Sequence, residues 1–470
     1  MQSHPVKRPP GPTWRHLGEI LHQDPEFYNL EYPLILTRRY GGFVYSSPFK
    51  LYLVSEPDVF EHILKTNAKN YVRQKLVYNH MKLFFGNSLV VTEGNAWRYR
   101  RRMALPAYQH QTIKSYIPTI THLSEKLLTT WRSSLPKKIN LLATLNSLTL
   151  NIASQLFCNQ ELPPQTLAFL GKAIRFCNDY CSFSQWIHPL KPTLNNWRFF
   201  WYTKKIDEIF LPIIRARRKN STPYNDLLDH LIHATSEETG GPLTDQEVLA
   251  EFKTHIITGH ETTGCSLSWM WYLLAQNPQY RELLEEELES VLNGRLPTLE
   301  DIPKLVVTQA ILSETFRLYP PIWSLARTNI EADSIQGYEI PPNSRITLHL
   351  YALHRNPAYW DCPNDFCPER FLEPETKRHP FSYIPFSSGS HTCIASHLAT
   401  QESILLAATL AQTVRFELVK KTEVFPKPCI TLSPIGGIPM RPILRDKSMS
   451  SPKQRQYQSL PTVALETNPT

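Results

Sequence analysis

The chain has no run of about 18 consecutive apolar residues, the length a helix needs to cross a hydrocarbon core. Met1 to Pro12 is polar and proline-rich, so the apolar stretch of a secretory leader is missing too. These two absences lead us to expect a cytoplasmic protein without a membrane span. The eight cysteines (158, 177, 181, 265, 362, 367, 393 and 429) lack the paired spacing of a zinc cluster. The nearest pairs, Cys177/Cys181 and Cys362/Cys367, belong to no four-ligand set, and most of the eight read as small buried hydrophobes in a reducing compartment. No G-x-G-x-x-G fingerprint occurs, which argues against a flavin or dinucleotide domain within the chain. The basic residues are dispersed and no reading motif accompanies them, so nucleic acid is not an expected partner. There is no internal repeat and no obvious flexible linker, which favours one continuous fold.

What is present supports a large core. Of 470 residues, 41 % are hydrophobic and only 20 % charged, a balance that argues against wholesale disorder. A formal charge of +8 fits either a basic surface that recruits an acidic partner or ordinary solubility. Strand-like patterns fall near residues 52–55, 337–340 and 345–348. Helical patterns cover 97–104, 118–134, 202–219, 245–276, 279–292, 304–318 and 394–412. The expected fold is mainly α with small β-sheets, a single domain over residues 1–445 followed by a polar, disordered tail over 446–470.

The helix at 245–276 is the most sharply punctuated. Thr244 and Glu247 form a T-x-x-E capping box after Gly240-Gly241-Pro242, and Asn277-Pro278 closes the far end. At 1.5 Å per residue it would run about 48 Å, across a whole domain. A helix that long and largely apolar is expected to be central and buried. His260-Glu261-Thr262-Thr263 in its middle therefore need an explanation. A zinc-protease H-E-x-x-H fails, because Gly264 stands at the place of the second histidine. A bland alternative has the threonines merely satisfying the preceding carbonyls.

A second segment, Phe386-Ser387-Ser388-Gly389-Ser390-His391-Thr392-Cys393-Ile394-Ala395, precedes an alanine- and leucine-rich helix. Cys393 thus lies just before a helix amino terminus, where backbone N–H groups and the dipole stabilise a thiolate. Such a thiolate can ligate iron and push electron density onto it. Taken alone, a single cysteine is more often structural. Glu314-Thr315-Phe316-Arg317 places acid and base on one helical face, and Trp97-Arg98-Tyr99-Arg100-Arg101 makes a basic aromatic helix.

Taken together these segments resemble the cytochrome P-450 family. Phe386, Gly389, His391, Cys393 and Ala395 match its haem loop, F-x-x-G-x-[RH]-x-C-x-[GA], and Ala399 and Glu402 continue the pattern. Residues 258–263 resemble its oxygen-activation motif, [AG]-G-x-[DE]-T-[TS], with Thr258 departing from the usual small residue. Glu314 and Arg317, with Arg370 in Pro368-Glu369-Arg370-Phe371, resemble a structural salt-bridge network. Trp97 and Arg101 match W-x-x-x-R.

The resemblance implies the cytochrome P-450 fold, a triangular-prism domain holding haem b (heme b, iron protoporphyrin IX). Cys393 would be the metal ligand, Phe386 would shield its sulfur, and Gly389 would permit a tight turn and close approach to the porphyrin. Trp97, Arg101, Arg327 and His391 would hold the propionates, with Arg98 a further candidate. Thr262 and Glu261 would be catalytic, moving protons to dioxygen, and Gly259 would leave room for dioxygen and allow a local helix distortion. Leu89-Val90-Val91, Cys265 and residues 322–325 would approach the substrate. The implied reaction inserts one oxygen atom of dioxygen into an apolar substrate such as a fatty acid or terpenoid. Electrons would come from a separate ferredoxin or flavoprotein, and a monomer is expected. A peroxide-driven or isomerising relative, or a non-catalytic haem carrier, would leave the Glu261–Thr262 pair without a purpose.

Overall fold

The computed structural model of the protein describes residues 6–14, 25–183, 191–220, 222–236, 240–372, 378–420 and 423–445. The expected tail at 446–470 lies outside the described residues. Helix α1 (Pro25–Tyr40) leads to strands β1 (Phe43–Ser46) and β2 (Leu51–Val54), then α2 (Pro57–Glu61), β3 (Tyr71–Arg73), α3 (Lys75–Phe85) and α4 (Gly94–Ala104). The helical body follows: α5 (His110–Ser133), β4 (Ile139–Asn140), α6 (Leu141–Cys158), α7 (Pro164–Phe183), α8 (Leu194–Lys219), α9 (Leu227–Ile232), α10 (Asp245–Gln276), α11 (Pro278–Leu292) and α12 (Val306–Leu318). Strands β5 (Leu325–Asn329), β6 (Asp333–Ile335), β7 (Tyr338–Ile340) and β8 (Arg345–Leu348) come next, then α13 (Leu350–Leu353) and α14 (Ser396–Ala411). Strands β9 (Val414–Leu418), β10 (Pro426–Pro428), β11 (Leu432–Pro434) and β12 (Pro439–Leu444) end the described chain. The result is mainly helical with small sheets, as the sequence patterns predict.

Helix α10 starts where its capping box puts it. Thr244 Oγ1 accepts the Glu247 N–H at 3.3 Å, and Glu247 Oε2 accepts the Thr244 N–H at 2.8 Å. From Val248 to Leu274 most of its side chains are buried, so it runs through the core. Helix α6 packs tightly against it. Gly264 makes that possible, because a Cβ there would stand 2.0 Å from Asn146 Oδ1. Thr149 Oγ1 donates to the His260 carbonyl at 2.8 Å, fixing the register of the two helices. By length and composition α6 could also cross a membrane, and 72 % of it is buried inside the protein.

Several helices are longer than the sequence pattern, or missing from it. Helix α5 begins at His110 and carries Pro118 within it, whereas the pattern predicts a start at the proline. Helix α8 begins at Leu194 rather than 202. Helix α6 has no counterpart among the predicted helices, although Leu141, Leu145, Leu148, Ile152 and Leu156 recur along it at helical spacing.

One five-stranded sheet, in the order β1-β2-β8-β5-β3, frames one end of the core. Strands β2 and β8 pair in parallel, Leu51 with Arg345 and Val54 with Leu348. The β3–β5 register sets Arg73 directly opposite Arg327. Like charges facing each other across a ladder are destabilising unless something negative lies between them.

Candidate functional site

Helix α10, the stretch from Pro321 through β5, and the loop 385–395 enclose a cavity of about 800 Å³. Cys393 lies on its wall. Its side chain is accessible, and this access is from the cavity. Its backbone N–H donates to the Phe386 carbonyl at 3.0 Å, closing the loop, and the Phe386 ring meets Phe316 edge-on at 5.7 Å. Burial pushes the Cys393 thiol up, while the Ala395 backbone N–H and the Arg101 guanidinium act against it. The helix terminus was expected to favour the thiolate by itself. Here desolvation outweighs it, so a charged sulfur at this place calls for a cation beside it.

Gly389 is not among the residues that line the cavity. Its φ is +72°, and a Cβ would lie 1.9 Å from the Leu64 carbonyl oxygen. The glycine lets the loop rest on the backbone of residues 62–66, which holds Cys393 in place indirectly.

Cations gather at one end of the cavity. Trp97, Arg101, Arg327 and His391 all line it, and the structure brings them together from three separate segments, α4, β5 and the Cys393 loop. Trp97 stacks on His391 with ring centres 4.3 Å apart, and the Arg101 guanidinium lies 5.7 Å from the Trp97 ring. Arg101 also donates to the Thr392 carbonyl at 2.8 Å, next to Cys393. His391 Nε2 is 3.3 Å from Glu93, with burial lowering its pKa. Arg98 instead donates to Asn95 at the surface and takes no part.

Two further arginines, Arg73 and Arg345, line the same end. No motif points to them. Arg73 is found only through its register opposite Arg327, and Arg345 through its place on β8. Arg345 Nε is buried without a hydrogen-bond partner among the described residues. Glu93 answers Arg73 at 3.5 Å, yet the cluster keeps an excess of positive charge.

The opposite face is the middle of α10. Thr254, Thr258, Thr262 and Ser266 recur every four residues along it and all line the cavity. Each hydroxyl donates to the carbonyl four residues earlier, at 2.7–2.9 Å. The bland reading of these side chains is therefore part of the truth, but donating one hydrogen leaves each oxygen able to accept. The helix runs through Gly259 without a distortion, and a Cβ there would touch Phe157 at 3.4 Å. That is an ordinary contact, so the packing of α6 does not by itself require glycine there.

Glu261 is buried and turns toward α7, where Asn178 donates to its Oε2. Burial pushes its carboxyl up to about 7, opposed by Arg175, with Asp179, Thr431 and Asn178 as smaller influences. Beyond it, Asp179 pairs with Lys427 at 2.9 Å, both partly exposed. A polar line therefore runs from Glu261 toward solvent. Leu89, Val90 and residues 322–325 line the cavity as expected, whereas Val91 and Cys265 do not.

Away from the cavity, Glu314 and Arg317 form a fully buried pair. Arg317 Nε and one terminal nitrogen each donate to Glu314 at 2.7 Å, and the remaining donors reach the carbonyls of His354, Pro363 and Asp365. Arg370 joins at 3.4 Å. This knot fastens α12 to the segment leading into the Cys393 loop.

These residues fit a flat dianionic macrocycle carrying its own metal. One sulfur faces the cavity, cationic donors crowd one rim, and the Arg345 Nε–H is buried without an acceptor among the described residues. Among the described residues no three His, Cys, Asp or Glu side chains converge to hold a bare ion.

Comparison with known proteins gives the same answer. The family model for cytochrome P450 matches residues 9–438. Cyclooctat-9-en-7-ol 5-monooxygenase of Streptomyces melanosporofaciens is 30 % identical over 381 residues, covering 80 % of this chain and 82 % of that protein. Cyclooctatin synthase of the same organism is 29 % identical over 401 residues, covering 83 % and 86 %. The crystal structure of the cytochrome P450DA heme domain superposes with a TM-score of 0.82 at 22 % identity, covering 95 % of this chain and 99 % of that one. A cavity-facing cysteine, a rim of arginines and a match along nearly the whole chain lead to one conclusion: the chain belongs to the cytochrome P450 family, a haem-dependent oxidoreductase that incorporates oxygen.

Proposed function

We propose that the protein holds haem b through Cys393 and inserts one atom of dioxygen into a compact apolar substrate. The observation that carries this is the Cys393 side chain opening into the cavity that Thr262 lines. Trp97, Arg101, Arg327 and His391, with Arg73 and Arg345, would receive the two propionates, and Phe386 would keep water from the sulfur. Bound there, the haem supplies dioxygen binding and O–O cleavage. The chain's own residues do the rest. The Thr262 hydroxyl orients a proton donor over the reacting face, and Glu261, poised near neutrality, passes protons in from the Asp179–Lys427 side. Leu89, Val90 and Ile322 exclude water and shape the substrate.

A cyclic, lipid-like substrate such as a terpenoid is favoured over a straight fatty acid. One relative is named for cyclooctat-9-en-7-ol, by its name a cyclic unsaturated alcohol. Electrons would come from a separate ferredoxin or flavoprotein, which we place on the Cys393 side. There α4 exposes Arg98 and Arg102 while its Arg101 reaches the Thr392 carbonyl. We take residues 1–445 as the catalytic domain of a cytoplasmic monomer.

The test is spectroscopic. Purified protein reduced with dithionite and exposed to carbon monoxide should show the strongly red-displaced Soret band of thiolate ligation, and Cys393→His should lose it. A wild-type protein without that band would overturn the assignment. Product formed with reductant and dioxygen, but not with peroxide alone, separates this reading from a peroxide-driven one.

A further inference from the structure

Glu251 lies on α10, just over three turns before Thr262, with no exposed surface. Nothing in the proposed chemistry uses it. Its two oxygens hold two other elements. Oε1 accepts from Arg100 of α4 at 2.9 Å, and Oε2 accepts the backbone N–H of Leu89 at 3.2 Å. It also stands 3.8 Å from His255 Nε2, another residue of the cavity wall.

The segment between α3 and α4 is tied down elsewhere as well. At its start Gly86 has φ +66°, and a Cβ there would be 3.0 Å from the Ala250 side chain, so the backbone lies directly on α10. In its middle the Ser88 carbonyl accepts from the backbone of Val91 and Thr92, each at 3.1 Å, and from the Thr92 hydroxyl at 2.9 Å. At its end the Thr92 carbonyl accepts from Arg73. Loops over a binding cavity are usually the parts that adapt. This one rests on α10 at its start, is braced by its own turn in the middle and is held by Arg73 at its end, and it carries Leu89 and Val90 into the cavity.

We infer that Glu251 is a positioning residue for specificity: it clamps residues 86–92 to α10, so that Leu89 and Val90 form a fixed wall that selects substrates by shape. The charge pair with Arg100 matters because a buried carboxylate is held in one place only when its oxygens are fully engaged. With the clamp intact, bulky ligands are refused on this side. With it loosened, the wall moves outward and admits them. The inference rests on the preceding section only in taking this cavity as the one that receives substrate.

The experiment uses the holoprotein, its Glu251→Gln variant, and the double variant Arg100→Met/Glu251→Gln, which removes the charges as a pair. Amide hydrogen exchange over residues 86–92 should be slow in the wild type. It should rise about tenfold or more in both variants, the equivalent of one charge-assisted hydrogen bond, while the amides of α10 beyond Thr254 stay unchanged. Imidazole and 4-phenylimidazole, titrated by their Soret shifts, should show the second readout: the variants bind the bulkier probe more tightly relative to the smaller one. Leu89→Ala should reproduce that change in preference without any change in exchange. Rapid exchange at Leu89 in the wild type, or variants with unaltered exchange and unaltered preference, would overturn the clamp. If imidazole leaves the wild-type Soret band unmoved, the haem assignment fails instead, and exchange at Leu89 still decides the clamp.

Discussion

Thr262 is the residue on which oxygen chemistry turns in the proposed function, and its surroundings set a clear expectation. Its hydroxyl spends its hydrogen on the Thr258 carbonyl, at 2.9 Å, and keeps its lone pairs for a water or a reacting oxygen. Thr262→Ala should therefore fold, take up haem and accept electrons, yet release most of them as hydrogen peroxide instead of product. Thr262→Ser should restore much of the coupling. Peroxide formed per electron consumed is the measurement, and coupling unchanged in the alanine variant would reject the proposed proton route. Residues of this kind are legible in a sequence because chemistry restricts them to a type and a spacing, as it does Cys393. The glycines are not. Gly389 answers to the Leu64 carbonyl some 325 positions away, and Gly264 to Asn146 on another helix. Neither partner can be guessed from neighbours in the chain. Cys265, three residues beyond Thr262 and so on nearly the same side of α10, is buried outside the cavity lining, a difference that spacing along a helix does not settle.

Among the elements, α12 and α14 each bury an acidic side chain, with opposite consequences. On α12 every donor of Arg317 is engaged, two toward Glu314 and three toward backbone carbonyls. Arg317→Leu would leave the buried Glu314 carboxylate with only Arg370 at 3.4 Å and the Cys367 N–H to answer it, at about 3–5 kcal/mol, and should prevent stable haem uptake. Haem content per protein and the melting temperature check this; a stable, fully loaded variant would refute the bracing role. On α14, Glu402 is buried, and burial alone pushes its carboxyl up to about 8. An unfolded glutamate titrates near 4.3, so the native chain holds this proton where the unfolded chain has lost it. Stability from this group is thus complete below about pH 4 and drains away as pH rises toward 8, by on the order of a few kcal/mol. Glu402→Gln should flatten the pH dependence of the melting temperature between about 5 and 8 and melt higher than wild type at pH 8. Parallel curves for the two proteins would count against it. Helices with marked ends, such as α10, were legible to the residue. Helix α6 was not: its leucines recur at helical spacing, but no T-x-x-E capping box opens it as one opens α10.

At the scale of the whole molecule, four segments centred on residues 97, 262, 327 and 393 meet around one cavity. Their motifs were readable one at a time, but the charge they assemble was not, because Arg73 and Arg345 join only through strand register. The formal charge of +8 gains meaning in the same way. Helix α4 points Arg101 inward toward the Cys393 loop and exposes Arg98 and Arg102 on its outer side. An acidic one-electron donor would be drawn to that side, close to the sulfur, and its approach would be screened by salt over about 10 Å at 0.1 M. The second-order rate of reduction by an acidic ferredoxin should therefore fall steeply as ionic strength rises. Arg98→Glu/Arg102→Glu should lower that rate at low salt and flatten its salt dependence, while the carbon monoxide spectrum stays intact. Reduction equally fast at every ionic strength, in both proteins, would mean that the donor finds this molecule by contacts other than charge and that the α4 face is not where it docks.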